Sequence, residues 1–260
     1  MKREIITVVV CLTAVISVYL YAILKPASVV EASADIPANT VASDPQSTPS
    51  HKRGDATVDP SKIIEISQYP DYPTGCESVS LYILLRYYGV DVTLDDIINV
   101  LPKGPAPYEQ DGMLFGADPN IEFVGDPRDA SSYGVYCAPL AETANKFKEG
   151  AVGISPYISD ENSAIDHVKS LLDDGIPAVV WLRNVEPNDN LTDFTRWTTP
   201  ETGETVVWFS GEHAVVVYAY DADNYYCSDP MAGGKTTVAK EDFEYKVKMF
   251  GGMSVYYPEE

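Results

Sequence analysis

The feature that most constrains the fold is a change in hydrophobic periodicity near Gly175. Before this residue, apolar side chains recur at the three- and four-residue spacing of helices packed on a core. After it, short segments rich in Val and Tyr are separated by turn residues, which is typical of antiparallel strands. These segments are IPAVVWLR, TVVWFS, HAVVVYAYD, NYYCSDP, KTTV and MSVYYP. Helices first and strands afterwards predict an α+β domain whose helical part packs on an antiparallel sheet.

Four helices are predicted in the first part of this domain. Thr93 and Asp96 have the spacing of a reciprocal N-terminal cap, which places the start of the second helix. His167 lies off the apolar stripe of the fourth helix, so a surface position is the simplest interpretation. The predicted helices run from Cys76 to Gly89, from Thr93 to Pro102, from Pro139 to Lys148 and from Asp160 to Asp174.

The first residues predict a membrane segment. An uncharged apolar stretch from Ile5 to Leu24 follows Lys2 and Arg3, and as a helix it would cross roughly 30 Å of hydrocarbon. The basic flank favours a cytoplasmic amino terminus and an exported remainder. Residues 32–34 (Ala-Ser-Ala) would suit a signal peptidase, but the apolar stretch is longer than in most cleaved signals. We therefore expect a single-pass anchor with an extracellular domain, and a secreted protein if the segment is cleaved.

Composition divides the chain into three parts. Residues 1–25 hold the anchor or signal peptide, and residues 26–60 are rich in Ala, Ser, Thr, Pro and Asp, as flexible spacers are. Residues 61–260 are long enough for one compact domain with its own core. The formal net charge of -21 argues against nucleic acid as a partner and against adsorption to anionic lipid. It suits a cationic or neutral substrate, although acidity that merely keeps an exported domain soluble is the simpler explanation.

Cysteine usage excludes a disulfide scaffold. Outside the membrane segment, which contains Cys11, there are three cysteines, Cys76, Cys137 and Cys227. No pair has CxxC spacing and histidines are few, so we expect no metal site and no cofactor. Cys137 and Cys227 both stand beside aromatic residues, which favours buried thiols, but a bridge between them stays open.

Cys76 and His213 are the candidate nucleophile and general base. A weakly acidic thiol needs a nearby imidazole to become a good nucleophile at neutral pH, and His213 stands in a predicted strand. Cys76 opens a helix, where unpaired amides and the helix dipole lower a thiol pKa and stabilise an oxyanion. Glu77 opposes the effect on the thiol unless its side chain turns away.

Two further residues complete the candidate site. Asp229 follows His213 on the next strand of a hairpin, so both should lie near the same end of adjacent strands and Asp229 could orient the imidazole. The alternative is a turn aspartate at the start of DPMAGG. Gln68 could offer its amide to an oxyanion alongside the Cys76 N–H, but a glutamine eight residues before a cysteine is weak support by itself.

The stretch from Lys103 to Pro139 is dense in Gly, Pro and Asp and shows little periodicity. So much irregular chain inside a compact domain is typical of a structured functional loop, which we expect to wall the substrate cleft. Its acidic and amide residues could suggest calcium, but their spacing fits no EF-hand loop and favours turn and cap roles. These residues are Asp118, Asn120, Asp126 and Asp129.

Five segments, in order, resemble those of a known family: SQYPDYPTGCESVSLYILLRYYG, ADPNIEFVGDPRDASSYGVYCAPL, LLDDGIPAVVWL, GEHAVVVYAYD, and YYCSDPMAGG with an EDFEYK helix after it. The family is the double-glycine leader peptidase-like family of papain-fold cysteine peptidases. The resemblance spans nearly all of residues 61–260 and implies a papain-like fold. It also implies Cys76 as nucleophile, His213 as base and acid, Asp229 as orienting residue and Gln68 as oxyanion donor. The family's founding members release peptides after a Gly-Gly leader and are fused to an export transporter, whereas this chain pairs the domain with one membrane segment and a spacer.

Two classes of function are therefore predicted. The first is an exported cysteine peptidase or amidase that acts on peptide or protein substrates through a thioester on Cys76. The second is a non-catalytic papain-fold binding module at the cell surface, because a fold by itself does not guarantee activity. The sequence predicts neither the cleavage specificity nor the oligomeric state.

Overall fold

The structure, a computed structural model, describes residues 57–154, 161–185 and 193–258. The predicted membrane segment and most of the predicted spacer lie outside these residues. Within the described residues, no helix combines the length and the apolarity needed to cross a membrane. Val58 is already buried in the core, so the packed domain includes residues before the predicted boundary at residue 61.

Five α-helices lie in the described residues, and four of them correspond to the four predicted from periodicity. The side chains of Thr93 and Asp96 cap the second helix reciprocally, as predicted. The third helix begins at Cys137, two residues earlier than expected, and Pro139 sits in its first turn, where no backbone N–H is needed. The helices are α1 (Cys76–Tyr87), α2 (Leu94–Val100), α3 (Cys137–Asn145), α4 (Glu161–Asp173) and α5 (Lys240–Lys248).

A six-stranded antiparallel sheet forms the centre of the described domain, which confirms the α+β prediction. One face packs against α1 and α3, through a core that includes Trp181, Ala214 and Val216. The opposite face packs against α4 and α5, through Val180 and Val215. Its strands, in spatial order, are β11 (Gly234–Ala239), β10 (Asn224–Asp229), β9 (Glu212–Tyr220), β6 (Ala178–Arg183), β12 (Ser254–Tyr256) and β5 (Val152–Ile154).

A second, four-stranded sheet corrects one strand assignment. The segment TVVWFS forms β8 of this smaller sheet and does not join the central one. Trp197 and Trp208 from the smaller sheet pack with Tyr133 and Tyr136. These large rings form an aromatic cluster that is separate from the two cores of the central sheet. The order is β2 (Tyr108–Gln110), β3 (Met113–Phe115), β7 (Phe194–Thr198) and β8 (Thr205–Phe209), while β1 (Lys103–Gly104) and β4 (Phe123–Val124) form a short parallel pair.

The long stretch before α3 is therefore structured, as predicted, and supplies two strands of the smaller sheet. Its acidic side chains serve turns: the carboxylates of Asp118, Asp126 and Asp129 each accept a hydrogen bond from the backbone N–H two residues later. The turn interpretation is thus confirmed for these three residues.

Two side-chain predictions have clear outcomes. His167 is not a surface residue: it is half-buried, with Nε2 2.9 Å from the Ser254 hydroxyl, and burial lowers its pKa. The prediction was wrong because α4 packs close to β12, which supplies a polar partner away from the apolar stripe. Cys137 and Cys227 are both buried and are not joined by a disulfide, which settles the alternative left open by their sequence context.

Candidate functional site

His213 and Asp229 form a direct hydrogen-bonded pair. They lie on the adjacent antiparallel strands β9 and β10, and His213 Nε2 is 2.7 Å from Asp229 Oδ1. The same oxygen accepts from the backbone N–H groups of Met231 and Ala232. Burial acts to raise the pKa of Asp229, but the bond and charge of His213 and the two backbone donors outweigh it and leave the pKa lowered. The hairpin therefore holds a carboxylate against the imidazole.

The other nitrogen of the ring is available. Because Asp229 accepts at Nε2, the neutral imidazole carries its proton there and presents Nδ1 as an acceptor. His213 is 1% exposed, and its Nδ1 is buried without a hydrogen-bond partner. A buried nitrogen that is left unpaired is costly in a folded protein and marks a position where chemistry or a ligand can use it.

Cys76 lies at the first turn of α1, as predicted, and is 6% exposed. Gly75 precedes it and offers no side-chain cap, so the amides of the first turn keep their capacity to bind a negative charge. The backbone N–H of Ala214, from the peptide group that joins His213 to Ala214, is near enough to the sulfur to act on the pKa of Cys76 and to lower it. The thiol therefore lies directly against the strand that carries the imidazole.

The thiol itself is bonded to Glu77. Cys76 Sγ donates to Glu77 Oε2 at 3.3 Å, and Glu77 Oε1 accepts from the Val135 N–H at 2.7 Å. Glu77 therefore does not turn away along the helix, which was the condition under which the thiol would have been activated. Among the described residues no hydrogen bond joins the sulfur to the His213 ring.

The expectation of a lowered thiol pKa is wrong for this conformation. Burial raises the pKa of Cys76 well above its usual value, and the carboxylates of Glu77 and Glu212 add to the increase, while the Ala214 N–H only partly opposes it. Burial also raises the pKa of Glu77 to about 7 and that of Glu212 well above its usual range. Three acidic groups thus share one buried region, where their negative forms disfavour one another.

Strand alternation separates the surroundings of the two candidate residues. Ala214 packs in the same core cluster as Cys76, whereas His213 shares its strand face with Val215. On that face His213 and Asp229 line a cavity of about 300 Å³ whose walls combine apolar residues, such as Leu182 and Phe243, with polar ones, such as Lys246. The structure thus brings His213 to Asp229 and Cys76 to the His213–Ala214 peptide.

Gln68 is buried next to the start of α1 but is engaged elsewhere. Its backbone N–H donates to Pro230 O, directly after Asp229, and its side-chain Nε2 donates to Pro73 O at 2.9 Å. The side-chain Oε1 is buried without a partner. The residue is therefore held between the loop before Cys76 and the end of β10, and no hydrogen bond connects its amide to Cys76.

Sequence reasoning missed Glu212 as a member of the site. One ligand atom from each of Cys76, Glu77 and Glu212 lies within 4.8 Å of the others, and this is a possible metal-binding group of the described residues. Successive side chains of a strand point to opposite faces of the sheet, so the residue next to His213 must face the layer that holds α1. This alternation along β9 could have identified Glu212.

The comparisons with known proteins agree with this architecture. The model of the Peptidase_C39 like family matches residues 61–255. YvpB, an uncharacterized protein of Bacillus subtilis (strain 168), is 31% identical over 188 residues, which cover 72% of this chain and 70% of that protein.

Among solved structures, a Bacillus anthracis protein assigned as a C39-like peptidase has a TM-score of 0.65 and 28% identity, over 79% of this chain and 99% of that chain. A more distant likeness, with a TM-score of 0.41 and 17% identity over 76% of this chain and 93% of the other, is to a double glycine motif protease from an AMS/PCAT transporter in complex with the leader peptide. The family match and the Bacillus anthracis structure confirm the papain-like α+β fold.

Proposed function

Because this chain belongs to the Peptidase_C39-like family, we propose that it hydrolyses peptide or amide bonds with Cys76 as the nucleophile. The thiolate attacks the carbonyl carbon of the substrate, the amine leaves, and water then hydrolyses the thioester. His213 takes the thiol proton at Nδ1 and delivers it to the departing amine, while Asp229 holds the ring through Nε2–H.

The observation that carries this proposal is the buried, unpartnered Nδ1 of a histidine whose other nitrogen is held by a carboxylate. The sulfur rests against the peptide group of that same histidine. Productive geometry requires Sγ to leave Glu77 and approach Nδ1, a movement that substrate binding can drive, since catalytic hydrogen bonds often tighten only in the complex.

Charge on the carbonyl oxygen requires donors. The Cys76 backbone N–H lies at the start of α1, where the helix dipole favours negative charge. Gln68 is the proposed second donor. Its Nε2 must exchange Pro73 O for the oxyanion, so its contribution depends on a rearrangement of the loop that precedes α1.

We also propose that the enzyme acts outside the cell. The support is the sequence alone: a basic start, an apolar stretch from Ile5 to Leu24 and a polar spacer before the domain. The protein would be anchored by one span, or secreted if that stretch is removed, with peptides or proteins of the cell surface or its surroundings as substrates.

One observation favours the alternative of a non-catalytic binding module. The thiol is bonded to a carboxyl group and its pKa is raised, which is the opposite of an activated nucleophile. A domain that kept the fold but lost catalysis would tolerate this arrangement, and the substrate assay decides between the two.

The assay measures cleavage of a peptide library by the full chain, with products identified by mass spectrometry. Wild-type protein should release products, and Cys76→Ser should release none. Cys137→Ser is the matched control, because Cys137 is also buried and also occupies the first turn of a helix. Equal cleavage by wild type and Cys76→Ser would assign the activity to another protein, and no cleavage by any folded form would favour the binding module.

A further inference from the structure

We propose that Cys76, Glu77 and Glu212 form a binding site for a thiophilic divalent cation of the Zn²⁺ type. The sequence predicts no such site, because these residues lack any metal-binding spacing and meet only when α1 packs on β9. Cobalt(II), which occupies tetrahedral zinc sites, is the probe for this proposal.

The geometry is close to what a tetrahedral cation needs. Zinc lies about 2.3 Å from a thiolate sulfur and about 2.0–2.2 Å from a carboxylate oxygen, so two such ligands stand roughly 3.5 Å apart. The Cys76 sulfur and Glu77 Oε2 are 3.3 Å apart, and the Glu212 oxygen completes a triangle no wider than 4.8 Å. The two separations that involve the Glu212 oxygen are each no wider than 4.8 Å, so each must close by at most about 1.3 Å.

Glu212 supplies an independent indication that a ligand belongs there. The Glu212 residue is only partly buried, but its Oε1 atom is buried and has no hydrogen-bond partner among the described residues. None of the ion pairs of the described residues involves Glu77 or Glu212. Arg183, opposite Glu212 across the β6–β9 pair, donates to the carbonyls of Ser210 and Asp193. Buried carboxylates are normally paired or bound to a metal.

The surrounding backbone orients Glu77 and leaves room for both carboxylates. The Val135 N–H holds Glu77 Oε1 and so directs Oε2 toward the sulfur. Gly134 has no side chain at this point, and a Cβ there would collide with Glu77 Oε1 and lie 3.2 Å from Glu212 Oε2. Such outer contacts fix ligand positions in metal sites.

The donor set selects the class of cation. One thiolate with two carboxylates favours a borderline-soft ion such as Zn²⁺ over Ca²⁺ or Mg²⁺, which take oxygen ligands only. Three protein ligands leave a fourth position for water. Metal binding releases the thiol proton to solvent and forms a sulfur–metal bond in its place, so the occupied site would block the nucleophile. This regulatory consequence rests on the proposed function, whereas the binding itself does not.

The test is a cobalt(II) titration of the full chain in detergent, with Cys11→Ser as background so that the predicted membrane segment adds no thiol. Absorption from thiolate-to-cobalt charge transfer should appear at one cobalt per chain and be lost when Zn²⁺ is added. Cys76→Ser should abolish it. Glu212→Gln, which keeps the size of the side chain, should weaken cobalt binding by about tenfold or more.

Glu109→Gln is the control for the loss of one negative charge, because Glu109 is an exposed residue of β2, and it should leave the titration unchanged. Circular dichroism verifies that each variant is folded. Absence of the charge-transfer band, its survival in Cys76→Ser, or equal affinity in folded Glu212→Gln would each overturn the proposal. Peptide cleavage is measured separately on metal-free protein, so its failure would count against the peptidase and not against the metal site.

Discussion

The two sides of the candidate site, the imidazole side on β9 and β10 and the thiol side on α1, are both buried but have opposite electrostatics. His213 faces a carboxylate whose pKa is lowered, so charge on that side is matched. Cys76 faces Glu77 and Glu212, whose pKa values are raised like its own. Burial therefore does not decide reactivity by itself. On the thiol side burial is the largest cause of each raised pKa, whereas on the imidazole side the hydrogen bonds and charge of the partners of Asp229 outweigh burial.

The largest expected effect comes from removing the imidazole of His213. His213→Ala should lower kcat/KM for peptide cleavage by about 10³-fold or more, since the proposed mechanism assigns both the removal of the thiol proton and its delivery to the leaving amine to His213. His167→Ala is the matched control, because His167 is also partly buried and hydrogen-bonded but lies on α4, against β12. Turnover retained by His213→Ala would place the base elsewhere. An equal loss in His167→Ala would indicate a folding effect.

The raised pKa values of the acidic groups around Cys76 should make the stability of the protein depend on pH. The pKa of Glu77 is raised from 4.5 to about 7 in the folded protein, so the folded state binds this proton more tightly than the unfolded chain. Stability from this group is present in full below pH 4.5 and is lost as pH rises through about 7. The raised pKa of Glu212 acts in the same direction.

Glu77→Gln should remove most of this slope. Between pH 4.5 and a pH above about 7, we expect the free energy of unfolding of wild type to fall by about 3 kcal/mol more than that of Glu77→Gln. Denaturant unfolding of both proteins across this pH range, with a chelator present, measures the difference. Glu122, whose pKa is also raised, is common to both proteins and cancels in the difference. Parallel pH profiles would mean that the acidic cluster does not hold protons as described.

An intermediate effect is expected at Asp229. Asp229→Asn should lower kcat/KM by about 10²-fold, because the ring loses a charged partner while the nucleophile and base remain. The amide oxygen can still accept from Met231 and Ala232, so the turn should hold. Asp221→Asn is the control, since Asp221 orders the other end of the same hairpin. Loss of folding together with activity would make Asp229 structural.

The sequence predicted the fold more completely than the site. Helical stripes and Val-rich strands follow from local burial, so α1, α2 and most of the central sheet could be read directly. The pairing of His213 with Asp229 follows from the hairpin that joins their strands. Membership of β8 could not be predicted, because it depends on aromatic packing of Trp208 across long separations.

The electrostatics of Cys76 could not be predicted for a similar reason. A helix start lowers a thiol pKa only if nothing stronger opposes it, and the opposing groups here include Glu212, which is far away in sequence. The orientation of Glu77 depends on the Val135 N–H, another distant group. His167 was misplaced because its partner, Ser254, belongs to the last strand. In each case the decisive contact comes from tertiary packing.

The smallest effect concerns the link between the two sides. Ser80 on α1 donates to the Ala214 carbonyl at 3.0 Å, next to the amide that faces the sulfur. Ser80→Ala should lower the free energy of unfolding by about 1 kcal/mol, the usual net value of a buried hydrogen bond. Ser78→Ala is the matched control on the same helix: its hydroxyl is buried without a partner, so its removal should be neutral or stabilising. If Ser80→Ala also slows turnover while Ser78→Ala does not, the bond positions the thiol helix on the imidazole strand. Equal stability of the two variants would show that packing alone holds the two sides together.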